Sequence, residues 1–263
     1  MNRMARGLFL RSLGHLLFGL CCIPFFLACG SDTSEGTAVL RVVTEAEYPP
    51  FSFGSTTDNL QGFDIDIIKA VADVSDFRVV FGLLQFDEII PALQEGKFDI
   101  GIDAITITAE RQEIVDFSIP YFETGQSIAV QKDNTDITDL ESLKYKSIGV
   151  QSGTTGAELA AGVEGAVIST FDTISAALQE LVNGTLDAVI NDEASTRYAI
   201  KEGTFEGIKL VGELLSQEFY GIALPKGSRN LQRINEGLMT IFENGTYTQI
   251  YEKWFNALPN AAS

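Results

Sequence analysis

A two-lobed α/β fold, each lobe a central, mostly parallel sheet flanked by helices and the lobes joined by a two-segment hinge, is what this sequence predicts. Short apolar runs alternate with helical periodicity along most of the chain, the pattern of strand–helix units around a mainly parallel sheet. A helix–turn–strand segment recurs: Ala92-Leu93-Gln94-Glu95-Gly96-Lys97-Phe98-Asp99-Ile100-Gly101-Ile102 is echoed by Ala177-Leu178-Gln179-Glu180 and, after three residues, Gly184-Thr185-Leu186-Asp187-Ala188-Val189-Ile190. Two stretches, one beginning at Ile119 and one at Gln217, break the alternation, as in a chain that leaves one lobe, builds a second and returns. Two such crossings make a hinge over a cleft, the usual home of a small ligand.

The first 28 residues stand apart from that fold. Arg3, Arg6 and Arg11 precede an apolar run from Leu13 to Ala28, and Phe26-Leu27-Ala28-Cys29-Gly30-Ser31 follows. This resembles a bacterial secretory leader ending in a lipobox, with Cys29 as the acylated residue and Phe26 where leucine is usual. Plain signal cleavage and a retained anchor are the alternatives. Residues 29–37 are small and polar and read as a tether.

Lobe 1 begins at 38–122. Val39 to Thr44 reads as a strand, followed by a proline-stiffened loop, Glu45-Ala46-Glu47-Tyr48-Pro49-Pro50-Phe51. A helix follows Gly62, with Phe63, Ile65, Ile67, Ile68, Val71 and Val74 apolar and Asp64 near its favourable N-terminal end. A strand at Arg78–Leu83 and a helix at Asp87–Glu95, closed by Gly96, come next. Ile100, Ile102, Ala104 and Ile105 then suggest a buried strand, and Thr108 an N-cap before Ala109-Glu110-Arg111. Ile119 to Gly125 reads as the crossing into lobe 2, residues 123–217. There, strands are expected at Ser147–Val150, Val167–Thr170 and Ala188–Asn191, with helices from Thr155, at Thr173–Asn183 and at Ala194–Lys201. Gln217 to Ala223 is an extended return, and residues 218–257 rejoin lobe 1 with helices at Leu231–Asn244 and Thr246–Phe255, broken by Asn244-Gly245. Residues 258–263 are a tail.

Composition removes several function classes. All three cysteines (Cys21, Cys22, Cys29) and the only histidine, His15, lie at or before the expected processing point. The remaining chain of about 235 residues, large enough for two lobes, has no imidazole and no free thiol. Thiolate or imidazole metal sites and histidine-assisted nucleophiles are excluded, and no cofactor or metal is called for. Of the whole chain's formal charge of −18, the leader supplies only three arginines, so the remainder carries −21. Such a surface repels nucleic acid and modestly favours cationic or zwitterionic ligands.

Arg111 carries the sharpest chemical signal. A cation in the first turn opposes the helix dipole, so something negative belongs beside it. That is either an internal partner, Glu113 or Asp116, or an external carboxylate gripped by the guanidinium with Thr106 and the helix N-terminus assisting. In lobe 2, Ser152-Gly153-Thr154-Thr155-Gly156 opens a helix directly after a strand but lacks the lysine of a phosphate loop. It reads as an anion-facing turn or an ordinary cap. Asn191-Asp192 ends a strand where an α/β lobe shows its ligand face, and Asp192 is either an ammonium partner or an N-cap. Tyr48 and Phe86 follow strands and serve as pocket walls or core. Arg111, Thr106 and Thr154 for a carboxylate, Asp192 for an ammonium and two aromatics for a side chain together describe an amino acid.

At these residues the sequence resembles the polar amino-acid binding proteins of bacterial ABC importers, the family 3 extracellular solute receptors. Gly62-Phe63-Asp64-Ile65-Asp66-Ile67 with Val71-Ala72 is similar to the family signature, departing at Ser75. Ile90-Pro91-Ala92-Leu93-Gln94, Thr106-Ile107-Thr108-Ala109-Glu110-Arg111, Val115-Asp116-Phe117-Ser118 and Tyr220-Gly221-Ile222-Ala223 add to the likeness. Asn244-Gly245-Thr246-Tyr247 and Tyr251-Glu252-Lys253-Trp254-Phe255 complete it, from about Leu40 to Phe255. The resemblance implies a periplasmic-binding-protein fold and a non-enzymatic, monomeric receptor. Its partners are an amino-acid ligand, an ABC permease and, through the lipid anchor, a membrane; none is nucleic acid. It implies Arg111, Thr106, Ala104 and Thr154 for the ligand carboxylate and Asp192 for its ammonium. Glu45, Tyr48, Phe86, Asp103 and Gln151 fall to the side-chain pocket. Glu45 and Asp103 favour Arg, Lys, ornithine or His, with glutamine as the neutral option. Two alternatives attach to the same resemblance: a prephenate or arogenate dehydratase using Glu45 or Asp103 as proton donor, and a sensor for a signalling partner.

Overall fold

Residues 37–259 are described by a computed structural model of the chain. The leader, Cys29, all of the tether but its last residue, and the end of the tail lie outside the described residues. Among the described residues no helix is long and apolar enough to cross a membrane.

Lobe 1 opens with β1 (Ala38–Thr44), whose Val42 and Val43 are fully buried, and a short antiparallel ribbon of β2 (Glu47–Tyr48) and β3 (Ser52–Phe53). Helix α1 (Phe63–Val74), β4 (Phe77–Leu83), α2 (Phe86–Gln94), β5 (Ile100–Gly101), α3 (Ala109–Ile114) and β6 (Val115–Phe117) follow. β7 (Phe122–Thr124) leads out, and β8 (Gln126–Gln131) begins lobe 2. That lobe continues with β9 (Ser147–Gln151), α4 (Thr155–Ala161), β10 (Val167–Phe171), α5 (Ile174–Asn183), β11 (Ala188–Asp192), α6 (Glu193–Lys201) and β12 (Ile208–Val211). The chain returns through β13 (Glu218–Tyr220) to β14 (Ala223–Pro225), α7 (Leu231–Glu243) and α8 (Thr246–Phe255).

The two sheets have the same plan. Lobe 1 runs β4-β1-β5-β14-β6 and lobe 2 runs β10-β9-β11-β8-β12. In each the first three strands are parallel and the fourth, β14 or β8, is antiparallel to both its neighbours. The repeated aspartates have one task in both. The Asp99 carboxylate accepts from Arg41 N at 2.8 Å while Asp99 N donates to Arg41 O. The Asp187 carboxylate likewise accepts from Ser147 N at 2.8 Å while Asp187 N donates to Ser147 O. Each fixes the start of the central strand, β5 or β11, against its parallel neighbour, β1 or β9.

The crossings meet. β7 and β13 pair antiparallel, Phe122 opposite Tyr220 and Thr124 opposite Glu218. At Gly125 a Cβ would stand 2.0 Å from Ser216 O, so outgoing and returning backbones pack without an intervening side chain. The aperiodic stretch 119–125 therefore includes a strand, made legible only by its partner almost a hundred residues on. β8 was also not expected: its six residues are buried or nearly so on both faces and show no alternation.

One expectation in lobe 1 is corrected. The apolar run from Ile100 pairs as a strand only to Gly101, because the chain turns at Ala104, whose φ of +49° is left-handed. Asp64 stands in the first turn of α1, where the sequence places it. It is fully buried, accepting from Ala104 N at 2.6 Å and from Tyr121 OH at 2.9 Å, and so holds that turn in place. Gly62 before it, at φ +138°, would set a Cβ 2.0 Å from Phe51 O, while Asp66 ties α1 to α8 through Lys253 and Trp254. Under the hinge, Phe51 and Phe63 pack edge-on against Phe122, and Phe122 stacks on Tyr220 with centroids 5.5 Å apart.

Candidate functional site

Polar groups gather where central strands end. β1 runs into Glu45 and the β2–β3 ribbon, β5 into Asp103 and Ala104, β9 ends on Gln151 before the turn to α4, and β11 ends on Asp192. Carboxyl ends of strands are where open α/β sheets bind ligands. Here they converge on one cavity lined by Tyr48, Phe86, Asp103, Ala104, Thr106 and Arg111 from lobe 1 and Gln151, Thr154, Thr155 and Asp192 from lobe 2. The walls leave about 10 Å³, the room of one water, so a ligand of amino-acid size enters only when the lobes part. A groove of about 800 Å³ at the hinge, lined by Leu214, Trp254 and Pro259 among others, is far wider but opens to solvent without a comparable set of buried polar groups.

Arg111 is placed by its helix cap: Thr108 Oγ1 accepts from Arg111 N at 3.1 Å. The guanidinium is buried. It donates from Nη1 to Thr106 O at 2.8 Å and from Nη2 across the cleft to Gly153 O at 2.9 Å, and it lies 5.3 Å from the centre of the Phe86 ring. Neither internal candidate neutralises it. Asp116 pairs with Lys226, Glu113 is exposed, and no carboxylate of the described residues comes within ion-pair distance of Arg111. Burial pulls its pKa down, opposed only by the fields of Glu158, Asp192, Glu218 and Glu110. A buried cation without a bonded anion is costly, and an incoming carboxylate would relieve it.

Asp192 occupies the N-cap position of α6 without capping it by its side chain. Its carboxylate accepts from Tyr48 OH at 2.5 Å and from Gln126 Nε2 at 2.7 Å. Burial, reinforced by Glu218, raises its pKa to about 7. Tyr48 stands in β2 and Phe86 opens α2, so both are on regular elements rather than in loops.

Glu45 lies just behind the cavity wall, accepting from Gln151 Nε2 at 2.9 Å. Burial, then Asp103, lifts it to about 8. Asp103 Oδ1 accepts from Thr44 Oγ1 at 3.0 Å and bonds Ser52 Oγ, whereas its buried Oδ2 has no partner. Burial raises Asp103 to about 6 and Asp64 to about 7. Thr106 lines the cavity, yet its hydroxyl donates to Glu218 at 2.8 Å rather than inward. Thr154 caps α4 through Ala157 N and donates to Gln151 O.

Three participants lie outside the sequence-based set. Thr155 lines the cavity beside Thr154, and Gln126 holds Asp192 from the unanticipated strand β8. Glu218 on hinge strand β13 gathers hydroxyls from both lobes: Thr106, Thr155 at 2.9 Å and Ser216 at 2.8 Å. The Ser152-Gly153-Thr154-Thr155-Gly156 run gave a usable signal for Thr155, but no spacing marks Gln126 or Glu218.

Four buried carboxyls with raised pKa values set a pH dependence. In the unfolded chain they titrate near about 4, so between there and pH 6–8 the folded protein holds protons that the unfolded chain has released. Stability therefore falls as pH rises through that window. The ligand-free protein is expected to melt at a higher temperature at pH 5 than at pH 8.5, and Asp64→Asn to flatten the difference. A melting temperature that rises with pH would contradict the buried-carboxyl account.

The model of the bacterial extracellular solute-binding proteins, family 3, matches residues 40–257. A probable histidine-binding protein of Neisseria gonorrhoeae is 32% identical over 249 residues, 90% of this chain and 93% of that protein. Among solved structures, an ancestral arginine-binding protein is 48% identical, covering 84% of this chain and 99% of its own. The TM-score is 0.77 for its arginine-bound form and 0.76 for its glutamine-bound form. An ancestral amino acid-binding protein described as a precursor of cyclohexadienyl dehydratase is 41% identical over 84% of this chain and 96% of its own, with a TM-score of 0.77.

Proposed function

This chain belongs to the bacterial extracellular solute-binding proteins, family 3, and from that premise we propose that it is an extracytoplasmic receptor delivering an amino acid to an ABC importer. The observation that carries the reading is the pairing of opposites across one cavity: a buried guanidinium, Arg111, with no bonded anion in lobe 1, and a buried carboxylate, Asp192, in lobe 2. Arg111 grips the ligand carboxylate, with Thr154, Thr106 and the backbone at Ala104 around it. Asp192 takes the α-ammonium, displacing the Tyr48 hydroxyl that it now accepts. Tyr48, Phe86, Gln151, Glu45 and Asp103 enclose the side chain, and the two carboxyls favour a cationic one (Arg, Lys, ornithine or His), with glutamine next. The ligands named for the relatives, arginine, glutamine and histidine, support that range.

The energies fit a receptor. Micromolar affinity requires about −8 kcal/mol, within reach of three or four hydrogen bonds to charged groups at roughly 1.5–3 kcal/mol each plus aromatic burial. Moving a hinge from mostly open to mostly closed takes about 5.5 kcal/mol of differential affinity. Contacts split between Arg111 and Asp192 supply it only on closure, which is what a permease reads. The lobes are divided at 38–122, 123–217 and 218–257, and Cys29 carries the lipid that anchors the monomer to the membrane.

A thermal-shift panel of the twenty amino acids plus ornithine tests the reading. One or a few basic or amide ligands should raise the melting temperature by several degrees, and aspartate and glutamate should not. No response across the panel would refute it. The dehydratase reading has one supporting observation, a Glu45 carboxyl raised to about 8 in a relative of a dehydratase precursor. Incubation with prephenate separates the two: phenylpyruvate formation would establish an enzyme.

A further inference from the structure

Glu45 and Asp103 present an unusual proton inventory. Ser52 has one hydroxyl proton but two oxygens to bond, Glu45 O at 2.8 Å and Asp103 Oδ1. Its one proton must be shared between them unless Asp103 is protonated, in which case each contact becomes a full hydrogen bond. Asp103 Oδ2 is a buried, unpartnered acceptor in the wall of the cavity. Beside it Glu45 has a single side-chain donor, Gln151 Nε2, whose other N–H goes to Asp172 O at 3.1 Å. The charged groups facing the pair are acidic: Glu47 on β2, Asp87 on α2 and Asp64 on α1, with the phenol of Tyr121 beyond. Arg111, on the same cavity, is committed to the carbonyls of Thr106 and Gly153. Two adjacent buried carboxyls in such surroundings do not both ionise unless a cation joins them.

Resting on the receptor reading above, we propose that Glu45 and Asp103 form a proton-dependent selector for the ligand side chain. With one proton on the pair, the site accepts an uncharged amide, offering it a donor as well as an acceptor. With that proton gone, it accepts a guanidinium or ammonium. Arginine binding therefore expels a proton to solvent, and glutamine binding does not. The α-carboxylate and α-ammonium are the same in both ligands, so Arg111 and Asp192, including any titration of Asp192, cancel from the ratio of their affinities. That ratio isolates the pair. Both carboxyls are raised toward neutrality, Asp103 to about 6 and Glu45 to about 8, which puts the change where it can be measured.

The experiment is calorimetric titration of the protein with arginine and with glutamine from pH 5.5 to 8.5, each in two buffers of different ionisation enthalpy. The arginine-to-glutamine affinity ratio is expected to rise about tenfold or more across that range, since each pKa unit of linkage is worth a factor of about ten. Near neutrality arginine should release up to one proton. Asp103→Asn and, independently, Glu45→Gln should flatten the ratio. If both ligands bind with a ratio independent of pH and no proton is released, the selector is refuted while the receptor stands. If neither binds at any pH, the selector is refuted, and the thermal-shift panel decides separately whether the receptor reading stands.

Discussion

Replacing Arg111 with alanine is expected to weaken amino-acid binding by roughly 10² to 10⁴, because two charge-assisted hydrogen bonds of about 1.5–3 kcal/mol each are lost with the guanidinium. Nothing nearby can substitute. The other basic side chains of the described residues are absent from the cavity wall. The Thr106 hydroxyl is committed to Glu218 and the Thr154 hydroxyl to Gln151 O. Arg111→Lys should recover only part of the loss, since an ammonium on a flexible stem cannot present the two parallel donors of a planar fork. It would also have to bond the carbonyls of Thr106 and Gly153 to stay in place. Calorimetric titration of wild type and both variants, with circular dichroism to establish folding, decides the matter. Wild-type affinity in a folded Arg111→Ala protein would show that the carboxylate is held elsewhere, and the pairing of Arg111 with Asp192 would lose its meaning.

Arg111 could be singled out from the sequence because a cation is unexpected in a helix's first turn; in the six-residue α3 that forms it belongs to the last turn as well, so what marks it in the structure is its burial without a bonded anion. The repeated helix–turn–aspartate segment was legible for a similar reason: Asp99 and Asp187 sit at the same step of the same local unit, and the matching sheet orders followed. What the sequence concealed depends on partners distant along the chain. β7 is a strand only because β13 lies beside it. Gln126 matters because β8 brings it to Asp192, 66 residues on, and Glu218 because the hinge closes Thr106 and Thr155 on it. Asp64 was placed correctly but only half explained. Helix-end electrostatics explains an acid in a first turn so readily that a second use, holding the Ala104 turn, leaves no mark on the pattern. The apolar run after Ile100 misled through the same omission. Hydrophobicity reports that Ile102 and Ile105 are buried, and they are, but it says nothing of the left-handed residue between them that ends the strand.

Phe51 connects the pocket to the hinge, and Phe51→Ala should be the most damaging single truncation of that connection. The ring is fully buried, stacked on Tyr48 at 5.9 Å and edge-on to Phe122 at 5.1 Å and Tyr220 at 5.3 Å. Removing it costs about 3–5 kcal/mol in lost transfer energy and residual cavity. For a protein of this size that corresponds to a fall of about 6–20 °C in melting temperature. The functional consequence is separable from the stability loss. Ile241 on α7 is buried as fully, and Ile241→Ala should destabilise by an overlapping amount, about 2–5 kcal/mol. Ile241, however, does not line the cavity, whereas Phe51 backs Tyr48, whose hydroxyl reaches Asp192, and braces both strands of the hinge. At a temperature where both variants are folded, Phe51→Ala should bind its amino acid more weakly than Ile241→Ala does, with the difference in the dissociation rate, since a loosened wall and hinge shorten the life of the closed state. Equal affinities in the two variants would mean that the aromatic cluster supports the fold alone and that closure is governed by the polar contacts across the cleft.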